Sequence, residues 1–264
     1  MNAETSDQPV VLFEMLTEHI ALVTLNRPEK RNAVNGEVTA QMAEIVAKTE
    51  DDPQVRVVLL TSSQDRVFCA GADLGAVSSG SGLNMETPTG GFAGLVYATR
   101  LKPWIAVVEG IAVAGGCELC LACDMIVASE NARFGLPEVK RGLLAGAGGL
   151  HRLPNRIPAG IAYEMIATGD MIDAQRAYQH GLVNRLVPAG EALEAARELA
   201  GQVVVNAPLS VQYSLAAARA GSTLTDGGGR TVANEWLGML RKTEDFREGP
   251  RAFIEKREPV WKGR

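Results

Sequence analysis

The feature that most constrains this chain is the stretch Gly110-Ile-Ala-Val-Ala-Gly-Gly-Cys-Glu-Leu-Cys-Leu-Ala-Cys-Asp124. Small and apolar residues dominate it, so it belongs inside a fold. Glu118 sits in its middle, and glutamate is almost never fully buried without a partner. Keeping a carboxylate there costs stability and points to a specific use. Further on, Glu138 follows Phe134-Gly135-Leu136-Pro137. Two carboxylates near glycine-rich backbone imply paired acid/base chemistry beside an anion-binding pocket.

With 264 residues, 46% of them hydrophobic, the chain can bury a core as one large domain or as a domain with an appendage. No apolar run reaches membrane-spanning length. Ile105–Val113 is too short and is interrupted by Glu109 and Gly110. The segment Met1–Pro9 is polar and acidic, with neither a basic nor an apolar leader region, so a cytoplasmic protein is expected. A net charge of -5 argues against general nucleic-acid binding. Cys117, Cys120 and Cys123 have a spacing that could ligate an iron–sulfur cluster, but no fourth cysteine follows in the usual position. On a helix, residues three apart share a face, where cysteine packs as a small hydrophobe; that is the preferred reading.

Local patterns organise the rest. Val10–Met15 and His19–Leu25 read as strands joined by a polar turn, and Asn26–Asn32 as a loop punctuated by Pro28. Val38, Met42, Ile45 and Val46 share one face of a helix expected from Asn35 to Asp51. Arg56–Thr61 and Trp104–Glu109 read as strands buried on both sides. Phe68–Leu74 is expected to run from strand into a tight turn bent at Gly71, and Ser78–Gly91 to be a mobile loop. Gly115-Gly116 opens a short helix running to Ala122, and Asp124–Ala128 is the next strand. After Gly149 the pattern turns helical: Gly190–Val205, Pro208–Ala220, Val232–Arg241 and Asp245–Lys256, with breaks at Asn206–Pro208 and Gly221–Gly229. An α/β core over residues 1–200 followed by a helical region over 201–264 is therefore expected.

Several residues carry two readings each. Gly71 permits a bend that turns the Ala72 N–H outward, while Asp73 could be no more than a helix N-cap. The N–H groups at Gly115-Gly116 could hold a developing oxyanion, or the glycines could serve close strand–helix packing. Glu138 could be an acid complementing a helix dipole. His151 and His180 are isolated and show no metal-ligand spacing, and Gly146–Gly149 lacks the context of a dinucleotide site.

The order of these motifs decides between the readings. Ala-Gly-Ala-Asp at 70–73, Gly-Gly-Cys-Glu-Leu at 115–119, Ala-Cys-Asp at 122–124, Phe-Gly-x-Pro-Glu at 134–138 and Gly-x-Gly-Gly at 146–149 occur in sequence. Asn26-Arg-Pro and Asn32-Ala33 lie upstream, and Phe253-Ile-Glu-Lys-Arg257 lies near the end. Over residues 10–258 the chain resembles the enoyl-CoA hydratase/isomerase family, the crotonases. That resemblance implies a spiral of repeated ββα units with a C-terminal helical oligomerisation region. It implies an oxyanion hole from the backbone N–H groups of Ala72 and Gly115, with Glu118 and Glu138 as the catalytic pair. Acyl-CoA contacts are implied for Arg31 and Ala33, and for Ala70, Asp73 and Leu74. Phe253 and Lys256 would reach a neighbouring subunit's CoA. The implied assembly is a homotrimer or dimer of trimers.

The implied reaction adds water across the α,β double bond of an enoyl-CoA, in fatty-acid or related acyl-CoA metabolism. Glu118 accepts the water's proton and Glu138 delivers one to C2. Coenzyme A belongs to the substrate, and no other cofactor, metal, nucleic acid or membrane is expected. Isomerisation or dehydration of a related acyl-CoA is an alternative, as is an acyl-CoA-binding protein without catalysis. At the level of the pair, the bland alternative is an ion pair with an arginine such as Arg141. Two departures from the family pattern stand out: Ala145 where many hydratases have proline, and Ala114 where a third glycine often precedes the pair.

Overall fold

Every residue of Val57-Val-Leu-Leu60 is apolar because both faces of its strand are covered. The computed structural model describes residues 8–78 and 85–264. The run lies in β3 (Val57–Ser62), inside a six-stranded sheet. The other members are β1 (Val11–Met15), β2 (Ile20–Leu25), β7 (Trp104–Val108), β9 (Met125–Ser129) and β12 (Arg185–Val187), in the order β1-β2-β3-β7-β9-β12. Only the β1–β2 pair is antiparallel. Val58, Leu60, Ala106 and Ile126 face the main core, while Val57, Leu59, Ile105 and Val127 face a second cluster. Helix α7 (Ala192–Val204) covers that second face through Ala192, Ala196 and Ala200. Their four-residue spacing lines small side chains along one helix face, so the helix can approach the sheet closely.

A second, four-stranded sheet runs β11 (Ile172–Asp173), β10 (Arg133–Gly135), β8 (Ile111–Val113), β4 (Val67–Cys69). The chain feeds the two sheets alternately. Each of β3, β7 and β9 in the large sheet is followed by β4, β8 and β10 in the small one. After β4 comes α2 (Leu74–Ser78), after β8 comes α3 (Gly115–Ala122), and after β10 a 3-10 turn at Pro137–Arg141. This is the expected spiral of ββα units. Strands β4, β8 and β10 are parallel, so their C-terminal ends reach one edge of the small sheet. That edge carries the candidate site.

Several expectations need correction. Strands β8, β10, β11 and β12 have three residues or fewer, too short for a period to show. Two of them, β11 and β12, interrupt the region expected to be helical after Gly149. Of the expected loop Ser78–Gly91, residues 79–84 lie outside the described residues. Its end is a hairpin, with β5 (Glu86–Thr87) antiparallel to β6 (Gly91–Phe92). Gly227–Gly229, expected as a break, lie in the first turn of α9 (Asp226–Leu240), where the Thr225 hydroxyl accepts from the Gly228 N–H. That cap supplies the anchor glycine lacks.

Three helices follow α7: α8 (Pro208–Gly221), α9 and α10 (Glu244–Glu255). Residue 200, the expected division, falls within α7. Helix α8 is latched to the core by Arg219, whose Nε lies 2.7 Å from Asp124 Oδ1. The C-terminal tail returns over this junction, with the Trp261 indole donating to the Val205 carbonyl at 2.9 Å. No helix among the described residues is long and apolar enough to cross a membrane.

Candidate active site

The site begins with a crossing of two chain segments. Gly71, just past β4, has φ +87, and a Cβ there would lie 2.8 Å from the Gly115 nitrogen. Any side chain would force the end of β4 away from the start of α3. Beside it, Ala72 bridges Val34 in parallel fashion. The flanking groups make that bridge: the Val34 N–H donates to Gly71 O and the Asp73 N–H to Val34 O. In such a bridge the central residue's own N–H points to the other side. There Ala72 and Gly115 line one cavity of about 480 Å³. Gly115 is the first residue of α3, so its N–H has no intrahelical acceptor. Two N–H groups with no acceptor among the described residues thus share a wall, an arrangement able to stabilise a developing oxyanion.

Ala114, immediately before α3, has φ 52 and ψ −131. A non-glycine residue is strained there. The strain explains why glycine suits this position, one of the two departures noted in the sequence. The other departure, Ala145, packs inward at 4% exposed, while its neighbours Leu144 and Gly146 form the cavity wall.

Helix α3 carries Glu118 one turn in from Gly115. The carboxylate is 3% exposed, and its Oε1 accepts from the Gly149 N–H at 2.8 Å. Gly149 opens α4 (Gly149–Arg156), so the bond also uses one of that helix's orphan donors. Burial pushes the Glu118 carboxyl from 4.5 up to about 7, against the Gly149 bond that favours its anion. The nearby charge of Glu138 adds to the rise. Glu138 stands on the 3-10 turn after β10 and lines the same cavity. Burial raises its pKa too, against its own backbone N–H and the charge of Arg141. Its Oε2 is buried with no hydrogen-bond partner among the described residues. No ion pair holds either glutamate among the described residues, so the bland ion-pair reading does not describe them. Two carboxylates with raised pKa values on one cavity can share a single proton, as acid/base exchange requires.

Of the remaining sequence candidates, Arg31, Ala70 and Leu74 line this cavity. The Arg31 carbonyl accepts from the Ala70 N–H at 3.0 Å, which ties the Asn26–Ala33 loop to the end of β4. Ala33 and Asp73 do not line it. The Asp73 carboxylate pairs with Arg27 at 3.0 Å and accepts from the Gly75 N–H at 3.1 Å, at the start of α2. Phe253 and Lys256 also lie outside the cavity, on and just after α10; Phe253 is 86% exposed. Sequence reasoning missed Phe92, Leu143 and Leu144 as lining residues. Their segments show no period, and only the fold brings them to the wall. The four cysteines are free and buried, and burial pushes the Cys69 and Cys123 thiols up to about 12. Among the described residues no group of three or more His, Cys, Asp or Glu is arranged to hold a metal ion.

A spiral of ββα units that brings two backbone N–H donors and two high-pKa carboxylates to one cavity defines a class of acid/base site built around an anion-stabilising backbone. The family model described as enoyl-CoA hydratase/isomerase matches residues 16–264, and the chain belongs to that family. A carnitinyl-CoA dehydratase of Proteus mirabilis (strain HI4320) is 42% identical over 247 residues, covering 92% of this chain and 94% of that one. The crystal structure of an enoyl-CoA hydratase from Mycobacterium tuberculosis H37Rv superposes with a TM-score of 0.92 at 41% identity, covering 97% of this chain and 100% of that one. A carnitinyl-CoA hydratase structure from Mycobacterium avium matches at 44% identity with a TM-score of 0.78, covering 97% and 100%.

Two expected outcomes follow from this geometry. Ala114→Gly relieves the positive-φ strain and should raise stability by about 1 kcal/mol, as read from urea unfolding; an unchanged midpoint would refute the strain. The second concerns pH. The folded Glu118 keeps its proton up to about 7, whereas an unfolded glutamate loses it near 4.5. Between those values the unfolded chain binds fewer protons, so this group makes stability fall as pH rises. Glu118→Gln should therefore be more stable than wild type at pH 8, by up to about 3 kcal/mol, and indistinguishable near pH 4. Melting curves at the two pH values measure the difference, and a pH-independent gap would contradict it.

Proposed function

We propose that this protein is a hydro-lyase that adds water reversibly across the α,β double bond of an enoyl-CoA thioester. The observation that carries the proposal is the meeting of Glu118, Glu138, Ala72 and Gly115 on one cavity. As water attacks C3, negative charge grows on the thioester oxygen. The Ala72 and Gly115 N–H groups face that charge, and losing one such donor costs about 3–4 kcal/mol of barrier in comparable sites. Glu118, oriented by the Gly149 N–H, takes the proton from water. Glu138 delivers a proton to C2. The pair holds one proton throughout: it ends on Glu118 and returns to Glu138, directly or by exchange with solvent, before the next turnover. Dehydration of a β-hydroxyacyl-CoA, the direction named for the Proteus mirabilis relative, is the same path reversed. Arg31, Ala70 and Leu74 border the acyl-CoA, which enters as substrate.

Isomerisation could run on one carboxylate. Two on the wall favour hydration, which needs a base for water and an acid for carbon. Glu118→Gln and Glu138→Gln should each lower kcat for hydration by at least ~10²-fold while acyl-CoA binding survives. Mass spectrometry of a panel of enoyl-CoA thioesters, scored for gain of water, provides the assay. Wild-type turnover in either variant would end the two-carboxylate mechanism, and double-bond migration surviving in Glu118→Gln would favour an isomerase.

The proposal includes assembly as a homotrimer or dimer of trimers. Phe253 and Ile254 are 86% and 79% exposed on α10, which is large apolar area to leave in water. Light scattering at micromolar concentration should give a trimeric or hexameric mass, and a stable, active monomer would refute it.

A further inference from the structure

We propose that the cavity between the C-terminal end of α3, helix α4 and the end of α8 binds a phosphate-bearing small molecule, whose presence acts on the active site through Arg152. This cavity of about 600 Å³ shares no lining residue with the one that holds Glu118 and Glu138. Arg100, Arg152, Arg156 and Arg219 line it, and among the described residues Asp124 is its one lining carboxylate. Four guanidiniums against one carboxylate leave three positive charges, in a chain whose net charge is -5. His151 also lines the cavity and adds no charge at neutral pH, because burial and the Arg152 charge hold its pKa below the usual value.

The arginines have structural partners, but none that removes this excess. Arg219 pairs with Asp124 at 2.7 Å. Arg156 donates to the carbonyls of Leu121, Cys123 and Asp124, and Arg100 Nη2 to that of Ala122. These carbonyls lie at the end of α3, and a helix C-terminus offsets only about half a unit charge. Arg100 lies over the Trp104 ring, 5.3 Å from its centroid, and its Nε and Nη1 are buried with no hydrogen-bond partner among the described residues. The Glu50 charge reaches Arg100 from outside the cavity, but that carboxylate accepts from the Leu101 N–H. Burial lowers the pKa of Arg100 and of Arg152. Neighbouring guanidiniums push the same way, Arg219 on Arg100, and Arg100 and Arg156 on Arg152. Like charges held together away from water call for a multivalent counter-ion, and guanidinium forks match phosphate oxygens. Arg152 also donates to the Ala147 and Val96 carbonyls, and its charge favours the Glu118 anion. The other groups acting on Glu118 are the N–H groups of Gly149 and Ala147 and the Glu138 charge. A phosphate beside Arg152 therefore raises the proton affinity of Glu118.

Inorganic pyrophosphate is the probe, titrated by calorimetry into the assembled protein with CoA in excess to keep it out of the catalytic cavity. Wild type should bind it with a Kd of about 1 mM or tighter, weakening as salt is raised. Arg219→Gln should weaken binding about 10-fold or more. That change also breaks the latch to Asp124, so Thr223→Glu is the second variant. It adds a carboxylate at an exposed lining position and should weaken binding as much with the fold intact. No binding by wild type, binding seen only without CoA, or equal binding by Thr223→Glu would overturn the site. Activity reads the action on Glu118, which rests on the hydro-lyase reading. In wild type, saturating pyrophosphate should move the acid limb of the kcat/KM profile up by about 0.5 in pH. Relative to its plateau, kcat/KM near about pH 6 then falls about 3-fold. An unmoved limb with pyrophosphate bound would overturn the action on the active site. A protein that binds pyrophosphate but hydrates no enoyl-CoA would remove the hydro-lyase reading and leave the binding site standing.

Discussion

The site depends on one close approach, the contact of Gly71 at the end of β4 with the Gly115 nitrogen at the start of α3. The two segments are far apart in sequence and belong to successive ββα units. Because β4 and β8 are parallel neighbours, their outgoing ends lie side by side. Without a Cβ at either crossing residue the backbones nearly touch, and the two N–H groups can converge on one atom. The strain at Ala114 belongs to the same junction. The sharp turn into α3 brings Gly115 to the wall and sets Glu118 one turn deeper.

Glu118 shows how burial and hydrogen bonding oppose each other in this fold. Its helix is apolar, so desolvation favours the neutral acid. The Gly149 N–H favours the anion. Burial outweighs that bond and leaves the group at about 7, where it can both take and give up a proton. Glu138 lies in a less buried 3-10 turn near Arg141. Two glutamates thus acquire different environments from different elements. Arg152, which donates to the Ala147 and Val96 carbonyls, helps fix the Ala147–Gly149 segment that supplies the restraining N–H.

Much of this was legible in the sequence, and the limits were physical. The helix from Gly36 to Asp51, the doubly buried strands at Val57 and Trp104 and the start of α3 at Gly115 all follow from local pattern. The short strands β8, β10, β11 and β12 did not, because a two- or three-residue segment carries no period. Gly227–Gly229 misled because glycine usually ends helices, whereas here a threonine cap holds the turn. Phe92 escaped notice for a related reason. A two-residue strand pairing acquires its face only when packed.

The sequence by itself determined the chemical inventory: a carboxylate in an apolar helix, a second after Phe-Gly-x-Pro, and glycines where backbones must pass closely. It also determined the alternation of long strands and helices that marks an α/β core, since those signals are local. Only the tertiary structure decided which of these groups meet. It placed Arg31, Ala70, Ala72, Leu74, Gly115, Glu118 and Glu138 on one cavity and turned Asp73 away to Arg27. Convergence of segments distant in the chain depends on strand order and on the direction in which parallel strands end. Neither is written in the periodicity of any single segment.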